Sequence, residues 1–236
     1  GVSVLSREIY DMHMIMLWIC FAIAVVTFGA MIFAMIRFRK SKGAVADTKL
    51  LHNARLEAAW TLVPTIILIA MAIPSVDKLI KIEDMSGSEL TVKITGYQWY
   101  WQYEYLGKGV SFYSRLARTS DLARQRGSGI DPNTVENYLL EVDNPLVVPV
   151  GTKIRLLLTA NDVIHAWWVP DFGMKRDAIP GFMNEMWISV DADKPGTYRG
   201  KCAELCGADH GFMPIVVVAK PKPEFETWLA SQVATE

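Results

Sequence analysis

Between Cys202 and Met213 the chain reads Cys-Ala-Glu-Leu-Cys-Gly-Ala-Asp-His-Gly-Phe-Met, which places two thiols, an imidazole and a thioether on one short stretch. A second histidine stands upstream in Asn161-Asp162-Val163-Ile164-His165-Ala166-Trp167-Trp168. Soft sulfur with imidazole is the donor set copper favours, and a His/Cys/Met combination serves mononuclear electron-carrying copper sites. The second thiolate departs from that mononuclear pattern, because two thiolates on one loop can bridge a pair of metals. Taken alone, Cys202 and Cys206 would suit a disulfide equally well in an oxidising compartment. His210, Met213 and His165 turn the reading to metal, and a structural zinc site would leave Met213 without a role.

Such ligands need a rigid frame, and the chain has room for one. Its 236 residues suffice for a full domain plus extra segments, and a net charge of −1 gives no reason to expect nucleic acid. From Met14 to Ile36 no residue is charged, and at about 1.5 Å per residue a helix of that length crosses the ~30 Å hydrocarbon core of a bilayer. A second uncharged run, Ala58 to Val76, is bracketed by Glu57 and Asp77 and contains Pro64 and Pro74, which membrane helices tolerate. The segment between the runs holds Arg37, Arg39, Lys40, Lys42, Lys49 and Arg55 against Asp47 and Glu57. Loops this rich in Lys and Arg stay on the cytoplasmic or matrix side, so both termini face the opposite compartment and the segment from about Lys78 to Glu236 is exported. The chain opens at Gly1 without an export signal, so any such signal was removed or never existed. Three cysteines are too few for a disulfide scaffold, and Cys20, inside the first run, reads as a small buried apolar residue.

The exported part reads as β. Leu90, Val92 and Ile94 alternate with Thr91, Lys93 and Thr95 in a β stretch from Glu89 to Tyr105, on which Tyr97, Trp99, Trp101, Tyr103 and Tyr105 share one face and would ordinarily be core. Further runs are Leu139–Val142, Lys153–Thr159, Glu185–Val190 and Phe212–Ala219, separated by Pro, Gly and Asn turn signals. Short strands at this spacing imply a sandwich or barrel. Residues 114–137 turn polar and read as a surface excursion with a short helix; Pro223 to Ala234 reads as an amphipathic helix through Phe225, Trp228 and Leu229.

Cys202-x-Glu204-x-Cys206-x-x-x-His210-x-x-Met213, with Asp162-Val163-Ile164-His165, resembles the dinuclear copper (CuA) motif of the cytochrome c oxidase subunit II family. The aromatic segment Gly96 to Tyr105, Leu140-Glu141-Val142-Asp143-Asn144, Asp177-Ala178-Ile179-Pro180-Gly181 and Glu57-x-x-Trp60-Thr61-x-x-Pro64 are similar to that family in the same order. The resemblance implies a membrane-anchored all-β protein: a two-helix transmembrane hairpin over residues 1–85, a cupredoxin-like Greek-key β-sandwich over 86–221 with the 114–137 insertion, and a C-terminal helix over 222–236. It makes His165, Cys202, Cys206, His210 and Met213 side-chain ligands of a copper pair, with Glu204 ligating through its carbonyl. The Glu204 carboxylate would reach a Mg2+ or Mn2+ ion shared with subunit I, although spacing does not exclude a solvated loop acid. Trp99 matches the tryptophan through which electrons arrive from cytochrome c. Glu104, Asp143 and Asp162 match acids that meet the lysines of cytochrome c, where complementary charge speeds encounter. Glu57 matches the mouth of a proton-uptake path into subunit I, and is equally a helix N-terminal carboxylate favoured by the dipole. One position departs from the pattern: Phe182 follows Pro180-Gly181 where the family has arginine, so either a polar network is rearranged or Lys175 and Arg176 supply its charge.

The function so implied is acceptance of electrons from cytochrome c and delivery to haem in subunit I, where oxygen is reduced and protons are pumped. The haems belong to subunit I alone, and subunit III and membrane lipid are further partners. The polar insertion inclines the location to a bacterial inner membrane rather than a mitochondrial one, with both termini and the copper domain on the periplasmic or intermembrane side. Three rivals share parts of this pattern. A quinol-oxidase subunit II has the fold but lacks the ligands, a membrane-tethered copper-binding or copper-delivery protein has no electron-transfer partner and, for delivery, needs an exposed, exchangeable site, and a mononuclear carrier would hold one copper per chain.

Overall fold

The structure is a computed structural model that describes residues 1–45 and 52–233, and it divides into two compact units: Glu8–Lys81, and Gly1–Arg7 together with Ile82–Glu236. Asp47 and Lys49 of the basic segment, and residues 234–236, lie outside the described residues.

Helices α1 (Val4–Arg37) and α2 (Ala54–Glu83) supply the first unit. Both expose apolar side chains all round, among them Phe21, Phe28 and Phe33 on α1 and Ile66, Leu68 and Ile73 on α2. A helix apolar on every side needs an apolar solvent rather than one core face, so this hairpin is a membrane anchor. Cys20, expected to be buried, is instead exposed on α1, because the hairpin has few protein neighbours to cover it. Asn53 opens α2 by accepting the Leu56 N–H at 3.1 Å, and the Thr61, Thr65 and Ser75 hydroxyls donate to carbonyls four residues back. Local side-chain bonding of this kind accompanies proline in membrane helices, here Pro64 and Pro74.

The second unit is a sandwich of two five-stranded sheets. One contains β1 (Leu90–Tyr97), β2 (Tyr100–Tyr105), β3 (Val110–Ser114), β5 (Ile154–Ala160) and β8 (Asn184–Ile188) in the order β3-β2-β1-β5-β8. The other runs β4-β10-β9-β6-β7, from β4 (Leu146–Pro149), β6 (His165–Val169), β7 (Met174–Ala178), β9 (Gly196–Cys202) and β10 (Pro214–Lys220). Strict alternation on β1, β2 and β5 turns Val92, Ile94, Trp101, Tyr103, Leu156 and Leu158 into a core against Val148, Trp167, Ile215 and Val217 of the facing sheet. The C-terminal helix α4 (Lys222–Val233) closes one end, with Phe225 buried and the Trp228 ring 5.5 Å from that of Tyr105.

The structure corrects several strand expectations. Glu89 to Tyr105 is not one strand but the β1–β2 hairpin, so Trp99 sits in the turn and leaves the aromatic face to Trp101, Tyr103 and Tyr105. Leu139–Val142 is not a strand: Asn137 and Leu139 have φ of 50° and 61°, which an extended chain does not allow, and only Val142 bridges to Leu116. β4 lies instead in Leu146–Pro149, between two turn signals that obscured it. β7 (Met-Lys-Arg-Asp-Ala) and β9 (Gly-Thr-Tyr-Arg-Gly-Lys-Cys) carry too many polar residues for an alternating pattern to reveal them.

Three buried hydrogen bonds join the sheets directly. Trp167 Nε1 donates to the Tyr103 hydroxyl at 3.3 Å, and the Tyr105 hydroxyl donates to the Val147 carbonyl at 2.7 Å while accepting the Val147 N–H at 3.0 Å. Tyr105→Phe would strand both polar groups of a buried residue, so we expect a loss of about 1–3 kcal/mol in unfolding free energy, measured by denaturant titration of the metal-free protein.

Candidate metal centre

Strands β9 and β10 pair antiparallel up to Lys201 and Pro214, and the segment between them is a loop whose two mouths are Cys202 and Met213. The Cys202 N–H donates to the Met213 carbonyl at 3.3 Å, so the first thiol and the thioether start from paired backbone. His165 opens β6, which pairs with β9 at Trp167 and Cys202, and this delivers the distant imidazole to the same place. The remaining two donors, Cys206 and His210, come from the loop itself, which the sandwich end holds in shape.

The donors converge. Cys202 Sγ lies 3.8 Å from Cys206 Sγ, 3.9 Å from His165 Nδ1 and 3.4 Å from the Glu204 carbonyl oxygen. Cys206 Sγ lies 3.5 Å from His210 Nδ1 and 3.5 Å from Met213 Sδ. His165, Cys202, Cys206 and Met213 are buried at 0%, 6%, 3% and 1% exposure, so water is largely excluded. Both cysteines are free, and their separation is far beyond the roughly 2.05 Å of a bonded pair. Two sulfurs, two imidazoles presenting Nδ1, a thioether and a carbonyl form a donor set that suits copper, and two thiols within reach of the same space suit a metal pair.

The surrounding residues orient these donors. Asp162 accepts from His165 Nε2 at 2.9 Å, and also from the backbone N–H groups of Gln98 and Val163, each at 2.7 Å. A carboxylate on one ring nitrogen fixes the tautomer that leaves the other free for metal. Burial raises the Asp162 carboxyl, but those three donors outweigh it and hold it below the usual range. Burial lowers His165, yet its contacts with Cys202 and Asp162 prevail and raise it. Burial also opposes ionisation of Cys202, which the His165 contact and backbone donors overcome, whereas Cys206 is pushed up to about 12 by burial and by the neighbouring Cys202. The pair therefore gives up one proton readily and the second only with difficulty.

On the loop's near side, Trp99 Nε1 and Gln98 Nε2 both donate to the Cys206 carbonyl, at 3.1 and 2.8 Å. Gly207 makes this possible: its φ is +116°, and a Cβ there would stand 3.0 Å from Gln98 Nε2 and 3.1 Å from the Trp99 ring. Gly96 is equally constrained, since a Cβ on it would meet His165 Cδ2 at 2.7 Å. Sequence reasoning placed Gly96 and Gln98 in a motif without assigning either a task; close approach of β1 to the histidine is a tertiary fact that spacing does not reveal.

The other expected site residues lie apart from this cluster. Glu104 pairs with Lys93 at 3.3 Å across the hairpin, and Asp143 accepts the backbone N–H groups of Arg115 and Asn144, each at 2.7 Å. Glu57 accepts the Asn53 N–H at 3.0 Å and lies 3.7 Å from His52, the arrangement of a helix N-terminal carboxylate. The Glu204 side chain is exposed. Phe182 is 58% exposed, and Arg176 is engaged by Glu83 at 2.5 Å, which leaves Lys175 as the exposed cation of the pair.

Two family profiles match the chain: "Cytochrome C oxidase subunit II, periplasmic domain" over residues 90–220 and the corresponding transmembrane domain over residues 1–77. A Rickettsia bellii protein described as "Probable cytochrome c oxidase subunit 2" is 38% identical over 98% of this chain and 81% of its own length. Among solved structures, the periplasmic domain of subunit II of cytochrome oxidase from Bradyrhizobium japonicum is 42% identical, covers 63% of this chain and 96% of its own, and superposes with a TM-score of 0.53. A related structure, a mixed disulfide between a thioredoxin-like protein and subunit II of cytochrome c oxidase, is 40% identical over 65% of this chain and 96% of its own, with a TM-score of 0.52.

Two outcomes follow from the geometry. Gly96→Ala should weaken copper binding by about tenfold or more with the fold retained, since it displaces His165 as loss of an outer-shell partner would; chelator competition measures it. Copper loading of the reduced, metal-free protein should release protons and tighten as pH rises, because burial and the neighbouring Cys202 hold the Cys206 proton above the usual thiol range and metal must displace that proton; titration in weakly buffered solution measures the release.

Proposed function

The chain belongs to the cytochrome c oxidase subunit II family, and from that premise we propose that His165, Cys202, Cys206, His210 and Met213, with the Glu204 carbonyl, hold a pair of copper ions. The chain is a membrane-anchored subunit of an oxidase complex, with a cupredoxin-like periplasmic domain. When bound, the copper pair supplies one-electron redox chemistry between cytochrome c and the haem of the catalytic subunit. The observation that supports this reading best is the convergence of two unbonded buried thiols with two imidazoles and a thioether.

What the chain's own residues do follows from their positions. The sandwich fixes the ligand separations, so that a change of charge at the site meets little structural rearrangement. Asp162 holds His165 in one tautomer, and the buried side chains keep water from the sulfurs. We assign Trp99 to the incoming electron, because its indole N–H donates to the carbonyl of a ligand residue and its ring is partly exposed. Glu104, Asp143 and Asp162 are the proposed docking acids for cytochrome c. Of these, Asp162 also serves the site, and Glu104 shares its charge with Lys93. The exposed Glu204 carboxylate is proposed as the ligand of a Mg2+ or Mn2+ ion shared with subunit I, and Glu57 as the mouth of a proton path. The interhelical segment is proposed to lie inside, with both termini and the copper domain outside, a reading supported by the basic residues Arg37, Arg39, Lys40, Lys42 and Arg55. Subunit III is proposed as a further neighbour in the complex.

The thiols must be reduced before metal enters. A subunit II relative has been solved as a mixed disulfide with a thioredoxin-like protein, and we assign a partner of that class to keep Cys202 and Cys206 reduced here.

Electron paramagnetic resonance of the copper-loaded chain tests the ligand assignment: one unpaired spin should spread over two copper nuclei. Cys202→Ser and Cys206→Ser should each abolish that pattern, while Met213→Leu keeps two coppers with a shifted potential. Trp99→Phe should leave the spectrum intact and slow oxidation of cytochrome c by the assembled oxidase. An unchanged spectrum in Cys202→Ser would refute the assignment.

A further inference from the structure

Residues 114–137 read as a polar surface excursion, yet the structure pins their first half to the sandwich. The Ala117 N–H donates to the Glu141 carbonyl at 2.9 Å, and the Ser120 hydroxyl, wholly buried, accepts the Leu139 N–H at 3.1 Å. Between these anchors stands the short helix α3 (Arg118–Ala123), with Ala123 buried. Arg124 caps its C-terminal end and is therefore delivered from a fixed base.

The Arg124 side chain turns onto the copper-ligand loop. Nε donates to Asp121 at 2.8 Å on its own helix, while Nη1 and Nη2 donate to the two carboxylate oxygens of Asp209 at 3.3 and 3.4 Å. Its Cζ lies 4.4 Å from the centre of the Phe212 ring. Asp209 directly precedes His210, and Phe212 directly precedes Met213. A single planar guanidinium thus grips the residue before each of two proposed ligands, one by a two-pronged ion pair and the other by stacking. The near half of the loop is held separately, at the Cys206 carbonyl, by Gln98 and Trp99.

Resting on the ligand assignment above, we propose that Arg124 is a positioning residue for the metal centre, clamping the His210–Met213 segment in its ligating shape. A lysine has the charge but neither the fork nor the flat face, so the role belongs to arginine in particular. Outer partners of metal ligands commonly change affinity by roughly 10–100-fold, and the partial exposure of this pair, 22% for Arg124 and 33% for Asp209, puts the expected effect at the lower end.

The test uses the full chain in detergent, loaded with copper, and compares wild type with Arg124→Gln, Arg124→Lys and Asp121→Asn. Arg124→Gln should lose copper to a chelator about tenfold faster and alter the copper hyperfine pattern, while metal-free melting stays close to wild type. Arg124→Lys should recover only part of the difference, and Asp121→Asn, which leaves the loop contacts in place, should behave as wild type. If Arg124→Gln does not fold, Asp209→Asn carries the same expectation from the other side of the contact. A normal two-copper signal in wild type, with copper loss and hyperfine pattern unchanged in the variants, overturns this proposal alone. A wild-type chain without a two-copper signal overturns it together with the ligand assignment.

Discussion

Two thiols that must lie side by side without joining set the terms for the rest of this domain. Cys202 and Cys206 are 3.8 Å apart on one loop, a spacing that a free chain would not maintain. Separate backbone anchors maintain it. Cys202 belongs to the end of β9 and is tied to Met213, whereas the carbonyl of Cys206 is drawn toward the β1–β2 turn by Gln98 and Trp99. The sandwich matters because these anchors come from both sheets, and the buried bonds from Tyr103 and Tyr105 keep those sheets in step.

Burial makes this arrangement costly without metal. Charged sulfur is poorly solvated in the interior, so the second thiol holds its proton strongly, and the ionised pair needs a compensating cation. The same burial that raises Cys206 excludes water from the clustered donors and keeps their surroundings rigid. Asp162 shows how one residue can answer two demands: three hydrogen bonds commit its carboxylate to orienting His165 and the Gln98 turn, yet its side chain remains 27% exposed at the edge of the site.

Each of the other acids has a structural partner of its own. Asp143 organises a turn, Glu104 faces Lys93 across a hairpin, and Glu57 closes the first turn of α2. The docking and proton-uptake tasks proposed for these residues would come on top of local roles that already account for their presence, which is why spacing alone could not separate the two. Arg124 is the converse case. Nothing in the pattern of the insertion sets it apart from Arg115, Arg118 or Arg126, and only its position over Asp209 and Phe212 does so.

The donor set, the two membrane-spanning helices and the alternating strands β1, β2 and β5 were legible in the sequence, because ligand chemistry, hydrophobic length and period-two burial are all local properties of the chain. Strands β7 and β9 were not, since they are polar and their pairing comes from neighbours distant in sequence. The turn at Trp99 was hidden inside a run of aromatic residues that looked continuous. Only the tertiary structure brought His165 to the loop, set Gly96 against its ring, and placed Arg124 behind His210 and Met213. Those relations join residues many positions apart, so they depend on how the sheets close on one another rather than on any local pattern.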